Sequence, residues 1–210
     1  MLIIDHVEGD FIDTNGYIVG DPDTLEGIFI DAPDTAAAGM ISLARKHRLS
    51  IHALLNTHGH WDHIASNKEL RDATHASVRI HHADADYLRR PVTTLFELPF
   101  EIPPMEPDGY LTDGEILKVG SVPLHVIHTP GHTPGGVCLY FPNAGVLFSG
   151  DTLFYGSIGR TDLPGGNFRT LHDSIQTRLL TLPGSTIVYP GHGPSTTIEF
   201  EHHNNPFIQV

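Results

Sequence analysis

Cysteine is nearly absent. The 210 residues contain one, Cys138, so no intramolecular disulfide can form and nothing calls for an oxidising compartment. Cys138 stands in the apolar run 137–141 and reads as a buried strand thiol rather than a nucleophile. Basic residues are also scarce: 12 Lys and Arg face 25 Asp and Glu, a net charge of −13, which argues against a nucleic-acid backbone as the main partner. No apolar run approaches the ~18 residues of a membrane span. The start, Met1-Leu2-Ile3-Ile4-Asp5, has neither a basic leader nor a small-residue cleavage pattern. A cytoplasmic chain without a nucleic-acid or membrane partner is therefore expected.

What the sequence has in excess is histidine, 16 residues of 210. Hydrophobic content of 40% with 18% charged residues suits a folded chain. The length fits one domain over 1–210, because no low-complexity linker or charge block divides it.

Short apolar runs alternate with helical patterns and Gly/Pro punctuation, the mark of a mixed α and β chain. Strands are expected over 28–30, 51–56, 77–80, 116–119, 122–127, 137–141, 146–148 and 186–189. Helices are expected over 35–47, capped by Asp34, over 64–71 and over 169–182. The segment 81–113 carries five prolines and reads as irregular, a candidate lid. Three apolar runs pass into turns bearing His58, His132 and His192, and a fourth ends at Asp151. If these runs are strands of one layered scaffold, their polar ends can lie along one edge and build a site.

The strongest local signal is His58-Gly59-His60-Trp61-Asp62-His63. Even at this histidine content, the chance expectation for His-x-His-x-Asp-His is far below one per chain. Imidazole and carboxylate form a ligand set for zinc, iron or manganese, and the lack of thiolate disfavours a closed structural zinc site. His58 and His60 can reach one ion, whereas Asp62 and His63, further round the bend, point to a second. Asp62 could instead cap the helix that follows. His132 and His192 each follow Pro-Gly, which lets the backbone turn sharply at a strand end. Asp151 suits a bridge between two cations, or a simple turn.

In that order, His58-x-His60-x-Asp62-His63, His132, Asp151 and His192 resemble the metallo-β-lactamase superfamily of hydrolases, over almost the whole chain. Gly150-Asp151-Thr152-Leu153-Phe154, Gly159-Arg160-Thr161-Asp162 and Pro190-Gly191-His192-Gly193-Pro194 look like its glyoxalase II-like (hydroxyacylglutathione hydrolase-like) branch, particularly the short members. The resemblance implies an α/β (α+β) fold, the four-layer αββα sandwich. It implies two divalent metal ions, zinc first and iron or manganese as alternatives. One would be held by His58, His60 and His132, the other by Asp62, His63 and His192, with Asp151 bridging. A hydroxide between the ions, oriented by Asp62, would then hydrolyse a small-molecule thioester such as S-lactoylglutathione or a related S-acyl thiol. A thiolate of pKa near ~8.5 leaves without much help from a general acid.

The chain departs from classical glyoxalase II in three places. Only residues 193–210 follow the last ligand histidine, so no counterpart of the helical carboxy-terminal glutathione-binding domain is expected within 1–210. The tyrosine two residues after the last ligand histidine is Pro194. The basic residue nine after the bridging aspartate is kept as Arg160, a substrate-binding candidate, but the aromatic two further on is Asp162, which can pair with it. Two further activities share the resemblance: a mononuclear-iron persulfide dioxygenase using the counterparts of His58, His132 and Asp151, and a lactonase or β-lactamase reaction. A histidine-rich storage protein would cluster its histidines in flexible tracts instead. The histidines outside the ligand set, including His81-His82 and His202-His203, have no assigned role.

Overall fold

Side chains alternate between the two faces of a strand, and in this chain both faces are apolar on the central strands, which demands cover on each side. The computed structural model describes residues 2–91 and 97–209. The first sheet runs β1 (Ile3–Glu8), β2 (Asn15–Gly20), β3 (Glu26–Ile30), β4 (Ser50–Leu55), β5 (Ser77–His81) and β6 (Gly109–Leu111) in that spatial order. Its first three strands are antiparallel, and β3 to β6 are parallel. The second sheet takes β7 (Ile116–Val119), β8 (Val122–His128), β9 (Val137–Phe141) and β10 (Val146–Gly150). A small hairpin, β11 (Leu153–Phe154) and β12 (Ser157–Ile158), leaves that sheet before β13 (Ile187–Pro190) and β14 (Thr196–Thr197) rejoin it. Its order is β14-β13-β10-β9-β8-β7, with β10 and β13 parallel and the other pairs antiparallel.

The alternation sorts the core into layers. Tyr17, Val19, Ile28, Ile30 and Leu55 meet Val126, Leu139, Phe141 and Phe148 between the sheets. On the opposite face of the first sheet, Ile18, Phe29, Leu54 and Val78 pack against α1 (Ala37–Lys46), α3 (Asn67–Thr74) and α4 (Ala85–Arg89) through Met40, Leu70 and Leu88. The outer face of the second sheet, with Cys138, Leu147 and Val188, is covered by Leu171 of α5 (Phe168–Ser174) and Ile198 of α6 (Ile198–Asn204). Helix, sheet, sheet and helix give the expected αββα sandwich, and Cys138 is fully buried as expected.

Several local expectations are corrected. Asp34 caps nothing: Ala36 occupies the N-cap of α1 without a side-chain bond, and the Asp34 carboxyl is buried against the backbone N–H of Phe11. The helix expected over 64–71 is two pieces, α2 (Trp61–Ile64) and α3, broken at Ser66, whose hydroxyl donates to the Pro33 carbonyl. Asp62 lies inside α2 rather than at its N-cap, which is His60. The 81–113 segment is not wholly irregular. It forms a short 3-10 turn over 82–84, then α4 and β6, and it buries Leu88 and Met105 in the core as no lid would. Residues 92–96 of it lie outside the described residues. The helix expected over 169–182 holds α-geometry to Ser174 and finishes as a π turn over Ile175–Leu179. Strands β1 and β2 were not expected; their apolar residues are spaced by glycine and polar side chains.

Candidate metal centre and active site

The chain leaves β4, β8, β10 and β13 through turns that all open at one end of the sandwich. The turn after β4 carries His58 and His60 and feeds α2, which presents Asp62 and His63. His132 follows β8, Asp151 follows β10, and His192 follows β13. Two Pro-Gly steps make this approach close enough. Gly131 has φ +133°, and a Cβ there would lie 2.2 Å from the Leu171 nitrogen. At Gly191 a Cβ would sit 2.2 Å from Asp151 Oδ1.

All seven expected residues come together. His58 Nε2, His60 Nδ1 and His132 Nε2 form a triangle with edges of 2.8, 3.1 and 3.2 Å. His63 Nε2 and His192 Nε2 each lie 3.2 Å from Asp62 Oδ2. Asp151 stands between the two groups: Oδ1 is 3.3 Å from His63 Nε2, and Oδ2 is 3.4 Å from His132 Nε2 and 3.6 Å from His192 Nε2.

The outer nitrogens of these rings fix where their protons reside. His132 Nδ1 donates to the Arg160 carbonyl at 2.7 Å, and His192 Nδ1 to the Ile12 carbonyl at 3.1 Å, since a carbonyl can only accept. The Thr57 hydroxyl donates to Asp31 Oδ2 at 2.7 Å, which leaves its oxygen to accept from His58 Nδ1 at 3.2 Å. His63 Nδ1 donates to Asp31 Oδ2 at 2.8 Å. In the neutral rings the inner nitrogens of His58, His63, His132 and His192 are therefore bare lone pairs. Two of them, on His58 and His132, face each other at 3.2 Å, and no hydrogen bond can join them. His63 Nε2 and Asp151 Oδ1 are buried with no hydrogen-bond partner. Three ring nitrogens within 3.2 Å of one another, beside the unpartnered His63 Nε2 and Asp151 Oδ1, make a donor set that fits a cation.

The electrostatics divide along the same line. Burial, with the neighbouring imidazoles, pushes His58 well below the ordinary imidazole range and His60 to about 4, so both rings are neutral donors. Burial opposes charge on Asp62 and Asp151, but the adjacent His63 and His192 rings outweigh it and hold both carboxyls ionised. Burial likewise opposes a charged His63, yet Asp62, Asp31 and Asp151 raise it well above the ordinary value; His192 is raised by Asp151 and Asp62 against its own burial.

Four supporting residues had no assigned role in the sequence. Asp31, at φ +58°, accepts from the Thr57 N–H as well as from the Thr57 hydroxyl and His63. It ends the run Ile28-Phe29-Ile30, the same pattern of an apolar strand passing into a polar turn that marked the other ligands. Thr57 links Asp31 to His58. Thr14 donates to Asp62 Oδ2 at 2.9 Å. Buried Asp84 accepts from Gly59 N–H, Gly135 N–H and the Thr133 hydroxyl, which ties the turn of His58 to that of His132.

The cluster opens on a cavity of about 540 Å3 lined by Ile12, Trp61, Tyr87, Phe154, Ile158, Arg160, Leu163 and Pro164 in addition to the cluster itself. Arg160 lines it with its guanidinium engaged bidentately by Asp162, at 2.8 and 2.7 Å.

Comparison with known proteins identifies the family. The metallo-beta-lactamase superfamily model matches residues 17–192. The hydroxyacylglutathione hydrolase GloC of Haemophilus influenzae is 38% identical over 186 residues, 84% of each chain. The BLEG-1 B3 metallo-beta-lactamase superimposes with a TM-score of 0.87 at 36% identity, covering 99% of this chain and 100% of that one. TTHA1623, solved in a di-iron-bound form, gives a TM-score of 0.80 at 33% identity, covering 97% and 99% respectively. With its His/Asp cluster at the mouth of an αββα sandwich, this chain belongs to the metallo-β-lactamase superfamily of metal-dependent hydrolases.

Proposed function

We propose that the chain is a dinuclear hydrolase of thioesters, with His58, His60 and His132 holding one divalent cation, Asp62, His63 and His192 the other, and Asp151 bridging. The observation that carries the two-cation reading is the inward-facing lone pairs of His58 and His132, with the unpartnered His63 Nε2 and Asp151 Oδ1 beside them. Cations bound there would lower the pKa of water toward neutrality and polarise a carbonyl. Zinc best suits the nitrogen-rich first group, and iron, which TTHA1623 holds in its di-iron-bound form, is the alternative. Asp62, anchored by the Thr14 hydroxyl, orients the attacking water.

The leaving group is chosen by what the cavity lacks. Apart from the cluster, its titratable lining groups among the described residues are Tyr87 and Arg160. Burial raises the Tyr87 phenol, whose hydroxyl already donates to the Pro164 carbonyl, so it is a poor acid. Arg160 does not give up a proton. A thiolate can leave unprotonated, whereas the nitrogen of an opened lactam needs a proton that the cluster itself would have to supply; similarity to GloC supports the thioester, and similarity to BLEG-1 keeps the lactam in the test.

The test is metal content measured on the same preparation that is assayed with S-lactoylglutathione, glutathione persulfide and a chromogenic lactam. Two ions per chain and thioester cleavage are expected. One iron with oxygen uptake on the persulfide and no thioester cleavage would replace this reading with the dioxygenase.

A further inference from the structure

The two halves of the cluster are secured by different parts of the chain. Buried Asp84 ties the turn of His58 to that of His132. The side of Asp62 and His192 is held from the first sheet, by residues 12–17 at the entry to β2. The Thr14 hydroxyl donates to Asp62 Oδ2, the Ile12 carbonyl accepts from His192 Nδ1, and Thr14 forms an isolated antiparallel bridge with His192. Asn15 and Tyr17 act on the backbone around the same histidine. The Asn15 N–H donates to the Gly191 carbonyl at 2.7 Å, and its side-chain amide to the Pro190 and Gly193 carbonyls at 3.0 and 3.1 Å. The Tyr17 hydroxyl donates to the Pro190 carbonyl at 2.6 Å. Carbonyls on both sides of His192 are thus held from one strand.

That backbone needs holding. His192 lies between two glycines, of which Gly193 has φ +73°, and its side chain is 26% exposed where those of Asp62 and His63 are 7% and 0%. Within the Asp62 group it is the donor that local opening can most readily draw away. Asn15 suits the task because its one buried amide nitrogen carries two N–H donors, enough for a carbonyl before the histidine and one after it. A carboxylate has no such donor, and a hydroxyl has one. We propose that Asn15, supported by Tyr17, is a positioning residue for the second cation. It fixes the His192 turn so that His192 Nε2 stays against Asp62 and Asp151, and it sets the cation affinity of the Asp62 group independently of the three-histidine group. The inference rests on the two-cation reading of the site.

Zinc titration of the metal-free protein against chelators of graded affinity, with zinc content measured after gel filtration, reads the two binding steps separately. The wild-type chain is expected to take up two ions, and His192→Ala identifies which step belongs to the Asp62 group. Asn15→Ala should weaken that step about 10- to 100-fold and leave the other unchanged. Tyr17→Phe removes one of the two donors on the Pro190 carbonyl and keeps the ring between the sheets, so it decides the matter if Asn15→Ala does not fold. It should weaken the same step about fivefold, with the Tm of the metal-free protein close to wild type. A merely structural role would lower that Tm and shift both affinities alike. Such a result, or a ratio of the two affinities that neither variant moves, would overturn the inference while wild type still binds two ions. One ion per wild-type chain would instead overturn the two-cation reading, and the inference with it.

Discussion

At the scale of single residues, Asp31 shows how much of the centre depends on a side chain outside the ligand set. Its two oxygens accept from Thr57 N–H, Thr57 hydroxyl and His63 Nδ1, so one carboxylate aims two of the ring nitrogens inward, His63 directly and His58 through Thr57. Asp31→Asn is the informative change, because asparagine tolerates the left-handed backbone at φ +58° and leaves local strain unaltered. The amide would present N–H where Thr57 and His63 need an acceptor. Cation affinity is expected to fall about 10- to 100-fold, with far-UV circular dichroism unchanged. Competition with a chelator of known affinity measures it, and an affinity equal to wild type would remove Asp31 from this role.

At the scale of elements, the carboxylate of Asp21 joins the two sheets. Standing just past β2, it accepts from Ser121 N–H and hydroxyl, both at 2.8 Å, in the turn between β7 and β8, and from Asp23 N–H at 3.0 Å. Those bonds, the Ser121 backbone bond foremost, hold its pKa at about 2. A carboxyl depressed on folding contributes stability that is complete above its unfolded value of roughly 3.9 and is lost as pH falls through the folded value. Asp21→Asn should therefore lower the urea midpoint at pH 7, and the gap from wild type should close between about pH 4 and 2. An equal gap at both ends of that range would show that shape, not ionisation, matters at this position.

Elements also show what the sequence could and could not reveal. The central strands were legible because apolar runs of β-branched and aromatic residues, such as Val137–Phe141 and Val146–Gly150, are buried on both faces. The ligand-bearing turns were legible because His58-x-His60-x-Asp62-His63 is too dense for chance, and the two histidines after Pro-Gly gained meaning only beside it. Strands β1 and β2 were not, since Asn15, Gly16 and Gly20 break the apolar pattern, and it is tertiary pairing that buries all of β2. The Asp34 cap failed because a local signal, an acidic residue ahead of a helical pattern, lost to a longer-range one, the backbone of Phe11. Asp31 escaped notice because a carboxylate that orients a ligand leaves no spacing of its own.

At the scale of the whole molecule, the cluster is where the two sheets are joined chemically. His58, His60, Asp62 and His63 come from the first sheet's side, and His132, Asp151 and His192 from the second. Without cations, two ionised carboxyls and the inward lone pairs of several imidazoles face one another across that seam. Bound cations stabilise the folded chain by their affinity for it over the unfolded one. Exhaustive chelation is expected to lower Tm by on the order of 10 °C, restored by stoichiometric zinc or iron, in differential scanning calorimetry. An unchanged Tm in protein verified to be metal-free would mean that the seam is held by the apolar interlayer alone.

The order of the strands along the chain has a temporal consequence. During synthesis the residues of the first sheet emerge before any strand of the second, bringing four of the seven donors on one turn. The three-histidine group is then completed by His132 after β8, the bridge by Asp151 after β10, and the Asp62 group only by His192 after β13. In chain order the three-histidine group is thus complete well before the Asp62 group, so a truncation ahead of β13 would keep every donor of the first group and remove His192 from the second.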